Sequence, residues 1–188
     1  LLPAQQGPVD VRYGSQPVFL ANLLVRVSDA GINDAETAED VLLHIDQIVP
    51  FSERADLQVQ KPSGLTAHHL TAINAAARLG VMGQPFAVEA DAKNRKRLLR
   101  ELEGMSVRVM DGKGRLLGRG KGSDVMGHPL RSVVWLAAAL RKEGLSLQPG
   151  QWVSLGALSP MFRPRAGEKV TVAYAGLTGV RPVGVRFQ

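Results

Sequence analysis

The stretch that does most to decide the fold reads Gly122-Ser123-Asp124-Val125-Met126-Gly127-His128-Pro129-Leu130-Arg131-Ser132-Val133-Val134-Trp135-Leu136-Ala137. Within it, Gly127 lets the backbone turn tightly, because glycine has no side chain to clash. Pro129 fixes φ at about −65°, which suits the first residue of a helix. The stretch therefore predicts a helix that begins at Pro129 and continues to about Glu143, where Gly144 ends it.

The predicted helix has an apolar face, which we expect to pack against a sheet. That face consists of Val133, Leu136, Ala137 and Leu140. We expect Trp135 to serve packing alone. His128 stands at the helix entrance, where unpaired backbone N–H groups favour an anion such as a substrate carboxylate. The alternative is that His128 only closes and packs the helix, and the sequence leaves both interpretations open.

Composition limits the class of protein. The chain has 188 residues, of which 45% are hydrophobic and 21% are charged, a balance that is typical of one globular domain. No apolar run approaches the roughly 20 residues that a membrane span needs, so we expect no membrane partner. Cysteine is absent, which excludes disulfides and thiolate chemistry. With 23 basic and 17 acidic residues the net charge is +6, which suits anionic partners.

Strand and helix signals are mixed without a regular alternation, so the sequence predicts an α+β fold. We expect strands at 18–27, 51–57, 151–155, 168–175 and 181–187, and a hairpin over 105–118. We expect helices from near Ala35 to Pro50 and from Thr66 to Arg78, and a basic helix or turn over 93–103. A glycine-rich loop is expected over 118–127.

The basic segment 93–103 raises the question of nucleic-acid binding. Five Lys and Arg residues lie between Lys93 and Arg100, but no aromatic residue lies among them, and Glu101 and Glu103 follow. This pattern favours a solvated helix face over a nucleic-acid interface. We therefore expect no nucleic-acid partner.

Residues 122–137 resemble the G-S-x-x-x-G-H-P-L-x-x-x-x-W-L-A signature of the 2-keto-4-pentenoate hydratase family. That family belongs to the fumarylacetoacetate hydrolase superfamily and includes the 4-oxalocrotonate decarboxylases. Segments 147–153, 156–161 and 165–168 resemble the family's L-x-x-G-D-x-[IV], G-A-L-G-P-M and x-A-G-D motifs. The similarity covers essentially the whole chain and is densest from residue 120 onward. It implies a mixed β-roll with packed helices.

The resemblance also bears on domain organisation. Family members usually carry a further N-terminal α-helical portion, so residues 1–188 are interpreted as a single hydratase-like C-terminal catalytic domain without that portion. The chain begins Leu1-Leu2-Pro3-Ala4, with no initiator Met and no signal-peptide pattern. The resemblance implies a cytoplasmic homo-oligomer, and an exported form stays open because the N-terminus is interpreted as missing.

The function implied by the resemblance is that of a lyase in aromatic-compound catabolism. Such an enzyme acts on small 2-oxo or 2-hydroxydienoic acids, with Mg²⁺ or Mn²⁺ as a Lewis acid that stabilises the enolate. We therefore expect a small 2-oxo acid or dicarboxylate as partner. The positions carried over as substrate-binding are Asn74, Ser123, His128, Gly156 and Ser159.

The metal ligands implied by the resemblance are a Glu-x-Glu pair on the first strand and a third Glu after the next helix. Here Leu20 and Asn22 stand at the pair, and Glu53 is retained as the third. Asn22 offers a weak neutral oxygen, and Leu20 cannot ligate. A divalent cation facing one carboxylate recovers little of its dehydration free energy, so we expect weak or absent binding. An active lyase and a non-catalytic homologue with a carboxylate-binding or structural role both remain open.

Overall fold

Two long antiparallel strands form the centre of the fold in the computed structural model, which describes residues 2–3, 8–59 and 64–188. They are β2 (Pro17–Val27) and β3 (Ile45–Asp56). Both are rich in apolar residues, and almost every side chain of β2 is buried. A strand reads as a continuous apolar run when both faces of its sheet are covered. The predicted strand at 18–27 is therefore confirmed.

Four shorter strands extend this central pair into the first sheet. They are β1 (Leu2–Pro3), β4 (Ala77–Met82), β5 (Phe86–Ala87) and β8 (Trp152–Ser154). The order is β1-β4-β3-β2-β8, and β5 also pairs with β3. Beyond β8 the chain continues beside β2, where the backbone N–H groups of residues 155, 158 and 162 donate to carbonyls of β2. The loop 155–162 is thereby held against the centre of the sheet.

The second sheet is antiparallel throughout, with the order β10-β9-β6-β7. Its strands are β6 (Ser106–Asp111), β7 (Leu116–Lys121), β9 (Lys169–Ala175) and β10 (Val183–Arg186). Phe187 packs on Phe19 of β2 with ring centroids 5.2 Å apart. The Tyr174 hydroxyl donates to the backbone carbonyl of Asn22 over 2.5 Å. The two sheets are therefore joined by a shared core and by this hydrogen bond.

Four α-helices and three short 3₁₀ turns lie among the described elements. The α-helices are α1 (Ala38–Leu43), α2 (Ala67–Ala72), α3 (Ala92–Gly104) and α4 (Arg131–Lys142). The 3₁₀ turns are Ala30–Asp34, Asn74–Ala76 and Gly122–Asp124. α3 buries Leu98 and Leu102 and keeps its basic residues at the surface. The α+β class and the helix at 93–103 are confirmed, and no described helix is long and apolar enough to cross a membrane.

The predicted helix after Pro129 is confirmed, although its first helical residue is Arg131. Val133 and Ala137 are buried, while Leu136 and Leu140 are half-buried and pack against the core. The prediction that Trp135 serves packing is wrong within this chain, because the residue is 62% exposed. The apolar face of α4 is thus narrower than the sequence implied.

The predicted helix from Ala35 to Pro50 is wrong beyond Leu43. The helix also begins later than expected, at Ala38, where Thr37 caps α1. The segment from Ile45 onward joins β3, and Pro50 lies inside that strand opposite Leu23. Isoleucine and valine in this segment fit a half-buried pleated surface, and pairing along all of β2 outweighs their helical spacing.

Two further expectations need correction. The helix from Thr66 ends at Ala72 instead of Arg78, because residues 74–76 have positive φ and lead directly into β4. The segment 118–127 is only partly a loop, since β7 extends to Lys121 and a 3₁₀ turn follows. The hairpin over 105–118 and the last three strands are confirmed within a few residues.

Candidate functional site

The register of β2 and β3 brings the three residues at the implied metal positions onto one face of the first sheet. Leu20 lies directly opposite Glu53. Residues opposite each other in antiparallel strands share a face, and so do residues two apart on one strand. Asn22 therefore lies on the same face as Leu20 and Glu53.

The Asn22 side chain is fully buried, and its amide is completely hydrogen-bonded. Nδ2 donates to Oε2 of Glu53 over 2.9 Å and to Oγ of Ser154 over 2.7 Å. Oδ1 accepts from the backbone N–H of Leu23 over 2.7 Å. Because the Leu23 N–H can only donate, it fixes which end of the amide is the oxygen. Asn22 thus turns its N–H group, not its oxygen, toward Glu53.

Leu20 belongs to an apolar cluster. It is buried and groups with Val18, Ala55, Leu57 and Ala76. An aliphatic side chain in these surroundings offers no ligand to a cation. Its position supports packing of the sheet against the segment that leads into β4.

A cavity of about 390 Å³ opens beside Glu53, and we call it the Glu53 cavity. It is lined by Phe51, Glu53, Asn74, Ala77, Arg78, Leu79 and Ser154. Its two charged side chains have opposite signs. Its volume lies within the range of pockets that accept small molecules.

Of the five predicted substrate-binding residues, Asn74 alone lines this cavity. Asn74 has a φ of 52°, a left-handed conformation that asparagine adopts more readily than most residues. Ser159 Oγ accepts from the backbone of Ala21 over 3.0 Å and donates to the carbonyl of Pro160 over 2.9 Å. These bonds fix the loop 155–162 against β2.

Ser123 and Gly156 also lie away from the lining of the Glu53 cavity. Ser123 is in the 3₁₀ turn before α4, where its backbone carbonyl accepts from Gly127. Gly156 has a φ of 106°, which side-chain-bearing residues rarely adopt, and it lets the chain turn beyond β8. Their roles in binding substrate stay predictions.

His128 is 8% exposed, and both of its ring nitrogens have backbone partners. Nδ1 accepts from the N–H of Leu130 over 3.2 Å, so Nε2 carries the proton and donates to the carbonyl of Leu99 over 3.1 Å. Burial lowers the pKa of His128 below its ordinary value. His128 lines a different cavity, of about 820 Å³, together with Trp135. Its bonds support the closing and packing role, and its part in substrate binding stays a prediction.

The donor set beside Glu53 does not fit a divalent metal. Mg²⁺ and Mn²⁺ require several oxygen ligands, commonly carboxylates. Among the described lining residues Glu53 is the single carboxylate, and the Asn22 oxygen accepts from the Leu23 N–H instead of facing Glu53. Within the described ranges, no group of three or more His, Cys, Asp or Glu side chains could hold a metal. The Glu-x-Glu at Glu101–Glu103 lies on α3, where Glu101 accepts from Thr178.

Two residues of the site escaped the sequence analysis. Ser154 is far from Asn22 along the chain, and no motif marks their hydrogen bond. Arg78 was assigned to a helix, whereas it lies on β4 at the cavity wall. Knowledge that β4 pairs with β3 would have identified Arg78 as a residue of the site, but this pairing is known only from the tertiary structure.

Curated relatives of the chain are lyases. The chain is 28% identical over 141 residues to 4-oxalocrotonate decarboxylase from Pseudomonas putida, covering 75% of this chain and 50% of the relative. It is 38% identical over 65 residues to 2-keto-4-pentenoate hydratase 2 from Dechloromonas aromatica (strain RCB), covering 35% of this chain and 25% of the relative. The matches thus span at most about half the length of these two relatives. No protein-family model matches the chain.

Solved structures share the fold. The 4-oxalocrotonate decarboxylase from Pseudomonas putida G7, complexed with magnesium and adipate, superposes with a TM-score of 0.80 at 24% identity, over 100% of this chain and 66% of that chain. A fumarylpyruvate hydrolase from Pseudomonas aeruginosa, in complex with Mn²⁺ and pyruvate, superposes with a TM-score of 0.66 at 12% identity, over 99% and 72%. The chain therefore has the fumarylacetoacetate hydrolase fold. Its resemblance to the 2-keto-4-pentenoate hydratase and 4-oxalocrotonate decarboxylase family is confirmed.

Proposed function

We propose that the chain is a non-catalytic homologue of the hydratases and decarboxylases that binds a small carboxylic acid in the Glu53 cavity without a divalent metal. The observation that carries the proposal is the bonding of Asn22. Its amide donates to Glu53 and to Ser154, so a neutral N–H group occupies the side of Glu53 where the resemblance implies a cation. Binding through charged and polar side chains needs no metal.

Two features support a carboxylic acid as the ligand. Arg78 presents a guanidinium on the cavity wall, and guanidinium groups pair well with carboxylates. The solved structures with the same fold were obtained with adipate in the decarboxylase and with pyruvate in the hydrolase. For this chain we expect an affinity in the millimolar to high-micromolar range, because one exposed ion pair contributes little.

A metal-dependent lyase is the second candidate, and the retained Glu53 favours it. Glu53 is at the position of the third implied ligand and faces the cavity. In that case Mg²⁺ or Mn²⁺ would be required for hydration or decarboxylation of a small 2-oxo acid. The two candidates differ in the requirement for metal and in turnover.

The proposal is tested by titrating the protein with small carboxylic acids in the presence of a metal chelator, with binding followed by NMR. We expect saturable shifts that are lost in Ala77→Trp, because the indole fills the cavity that Ala77 lines. Ala138→Trp, at an exposed position of α4, is the matched control and should bind normally. Absence of binding, or hydratase turnover that depends on added Mg²⁺ or Mn²⁺, would reject the proposal.

A further inference from the structure

We infer that the Glu53 cavity selects carboxylic acids with a hydrogen-bond donor at C2, and 2-amino acids above all, over the corresponding 2-oxo acids. This inference rests on the proposed function, because it specifies the ligand of the same cavity. It follows from two charged groups of opposite sign that share one wall, Glu53 and Arg78.

Glu53 sets the requirement for a donor. Its Oε2 accepts from Asn22, and no described residue makes a hydrogen bond or ion pair with Oε1. An ionised carboxylate is an acceptor only, so Oε1 needs a donor from the ligand. A 2-oxo oxygen is also an acceptor only and would face Glu53 with like polarity. A hydroxyl donates one hydrogen bond, and an ammonium adds an opposite charge.

Arg78 sets the requirement for a carboxylate. Glu53 pairs with Gly80 across β3 and β4, and Arg78 lies two residues before Gly80 on the same strand. The register shifts between Arg54 and Ala55, so Arg78 lies at a β-bulge and has no partner of its own in the β3–β4 ladder. Arg78 and Glu53 both line the cavity. Nε of Arg78 donates to the backbone carbonyl of Tyr13 over 3.0 Å. This bond anchors the guanidinium, and within the described parts of the chain its Nη groups have no other partner.

The charges of Glu53 and Arg78 favour zwitterionic ligands over dicarboxylates. One carboxylate and one guanidinium sum to zero, so a zwitterion satisfies both groups. A dicarboxylate satisfies Arg78, and its second anionic end finds no further cation among the described lining residues near Glu53. Phe51 and Leu79 provide apolar surface for an aliphatic chain. The Phe51 ring covers Gly80, where an added Cβ would lie 2.0 Å from a ring carbon.

The test uses three ligands that differ only at C2: 2-oxopentanoate, 2-hydroxypentanoate and L-2-aminopentanoate. Their dissociation constants are measured by NMR in the presence of a chelator, with adipate as the dicarboxylate. We expect the amino acid to bind about tenfold more tightly than the oxo acid, with the hydroxy acid between them, since bonds to charged groups exceed neutral ones. Adipate should bind more weakly than the amino acid.

Variants separate the two charges. Glu53→Gln keeps an acceptor for Asn22 and removes the charge, so it should reduce the preference for the amino acid to less than about threefold. Arg78→Gln should weaken all three ligands, and Arg78→Lys should keep their order. Arg119→Gln changes an exposed arginine on β7 and should alter nothing. Thermal melts establish that each variant is folded.

Three results would overturn the inference. In the first, the oxo acid or adipate binds as tightly as the amino acid, and the proposed function stands while the selectivity fails. In the second, Glu53→Gln leaves the preference unchanged, which removes Glu53 as its source. In the third, no carboxylic acid binds at all, and the proposed function fails together with the inference.

Discussion

Asn22 occupies a position where the resemblance implies a carboxylate, and all of its polar atoms have partners. A buried amide with a full set of hydrogen bonds stabilises the surrounding structure, whereas an unpaired one would destabilise it. The identity of residue 22 was clear from the sequence. The direction of its amide was not, because that depends on Ser154 and on the backbone of Leu23.

The burial of His128 predicts that the stability of the protein depends on pH. Burial lowers its pKa from the ordinary value of 6.5, so the folded protein favours the neutral ring. The unfolded chain takes up a proton at a higher pH than the folded chain does. The stability associated with the neutral ring is therefore complete above pH 6.5 and is lost as the pH falls from there through the folded-state pKa.

The measurement is urea unfolding of the protein and of His128→Gln between neutral and mildly acidic pH. We expect the stability advantage of the unmodified protein to shrink as the pH falls, because glutamine does not titrate. The acidic residues with lowered pKa are common to both proteins, so their effect cancels in the difference. A difference that is constant with pH would show that His128 does not titrate as its burial requires.

Arg54 is a residue whose environment the sequence could not reveal. Its side chain is fully buried between the rings of Phe19 and Phe187, with centroid distances of 5.5 Å and 5.0 Å. Nη1 donates to Ser52, while Nε and Nη2 have no partner within the described ranges. Burial lowers the pKa of Arg54 to about 10. The alternation of side chains along β3 would place Arg54 on the inner face of the sheet. Composition argues for an exposed position, because arginine is almost never buried without a counter-ion.

Two glycines, one on β7 and one in the 3₁₀ turn after it, explain how these elements pack against their neighbours. A Cβ at Gly120 would lie 2.3 Å from the carbonyl oxygen of Leu158, and one at Gly122 would lie 1.7 Å from that of Leu102. The glycines therefore let β7 and the turn approach the loop 155–162 and the end of α3. This supports a packing role for the two glycines.

We predict that Gly122→Ala lowers the free energy of unfolding by about 1–3 kcal/mol, because the Leu102 backbone cannot move away without disturbing α3. Gly104→Ala is the matched control, since nothing lies within 4 Å of a Cβ at that position. It should raise the free energy of unfolding by roughly 0.5–1 kcal/mol, as alanine is a better helix former. Chemical denaturation measures both. Equal effects of the two substitutions would contradict the close approach.

Sequence patterns predicted the long strand β2, the hairpin and α4. They were wrong where pairing between distant strands determines the secondary structure. The segment 45–50 has helical spacing, yet it pairs with β2 along its whole length. Residues 74–76 continue a helical composition, yet their positive φ turns the chain into β4. In both cases the winning interaction joins segments that are distant in sequence. Local propensity cannot register such pairing.

In the molecule as a whole, the chain has the fumarylacetoacetate hydrolase fold, whereas Leu20 and Asn22 stand at two of the three positions where the resemblance implies carboxylates. The resemblance implied that Leu20, Asn22 and Glu53 stand at one metal site, and in the register of β2 and β3 the three positions share a face. The sequence could not predict the cavity wall, because Arg78 and Ser154 reach the site from β4 and β8 through sheet order. We therefore expect a domain with this scaffold and one carboxylate at the implied metal positions not to hold a divalent metal.

Calorimetric titration with Mg²⁺ and Mn²⁺ measures whether the residues beside Glu53 hold a divalent metal. The unmodified protein should give no saturable heat up to millimolar metal, because Glu53 is the single carboxylate among the described residues that line the cavity and Asn22 turns an N–H group toward it. The double variant Leu20→Glu with Asn22→Glu restores three carboxylates, and we expect it to bind metal as the positive control. Tight binding by the unmodified protein that is abolished by Glu53→Ala would contradict the account.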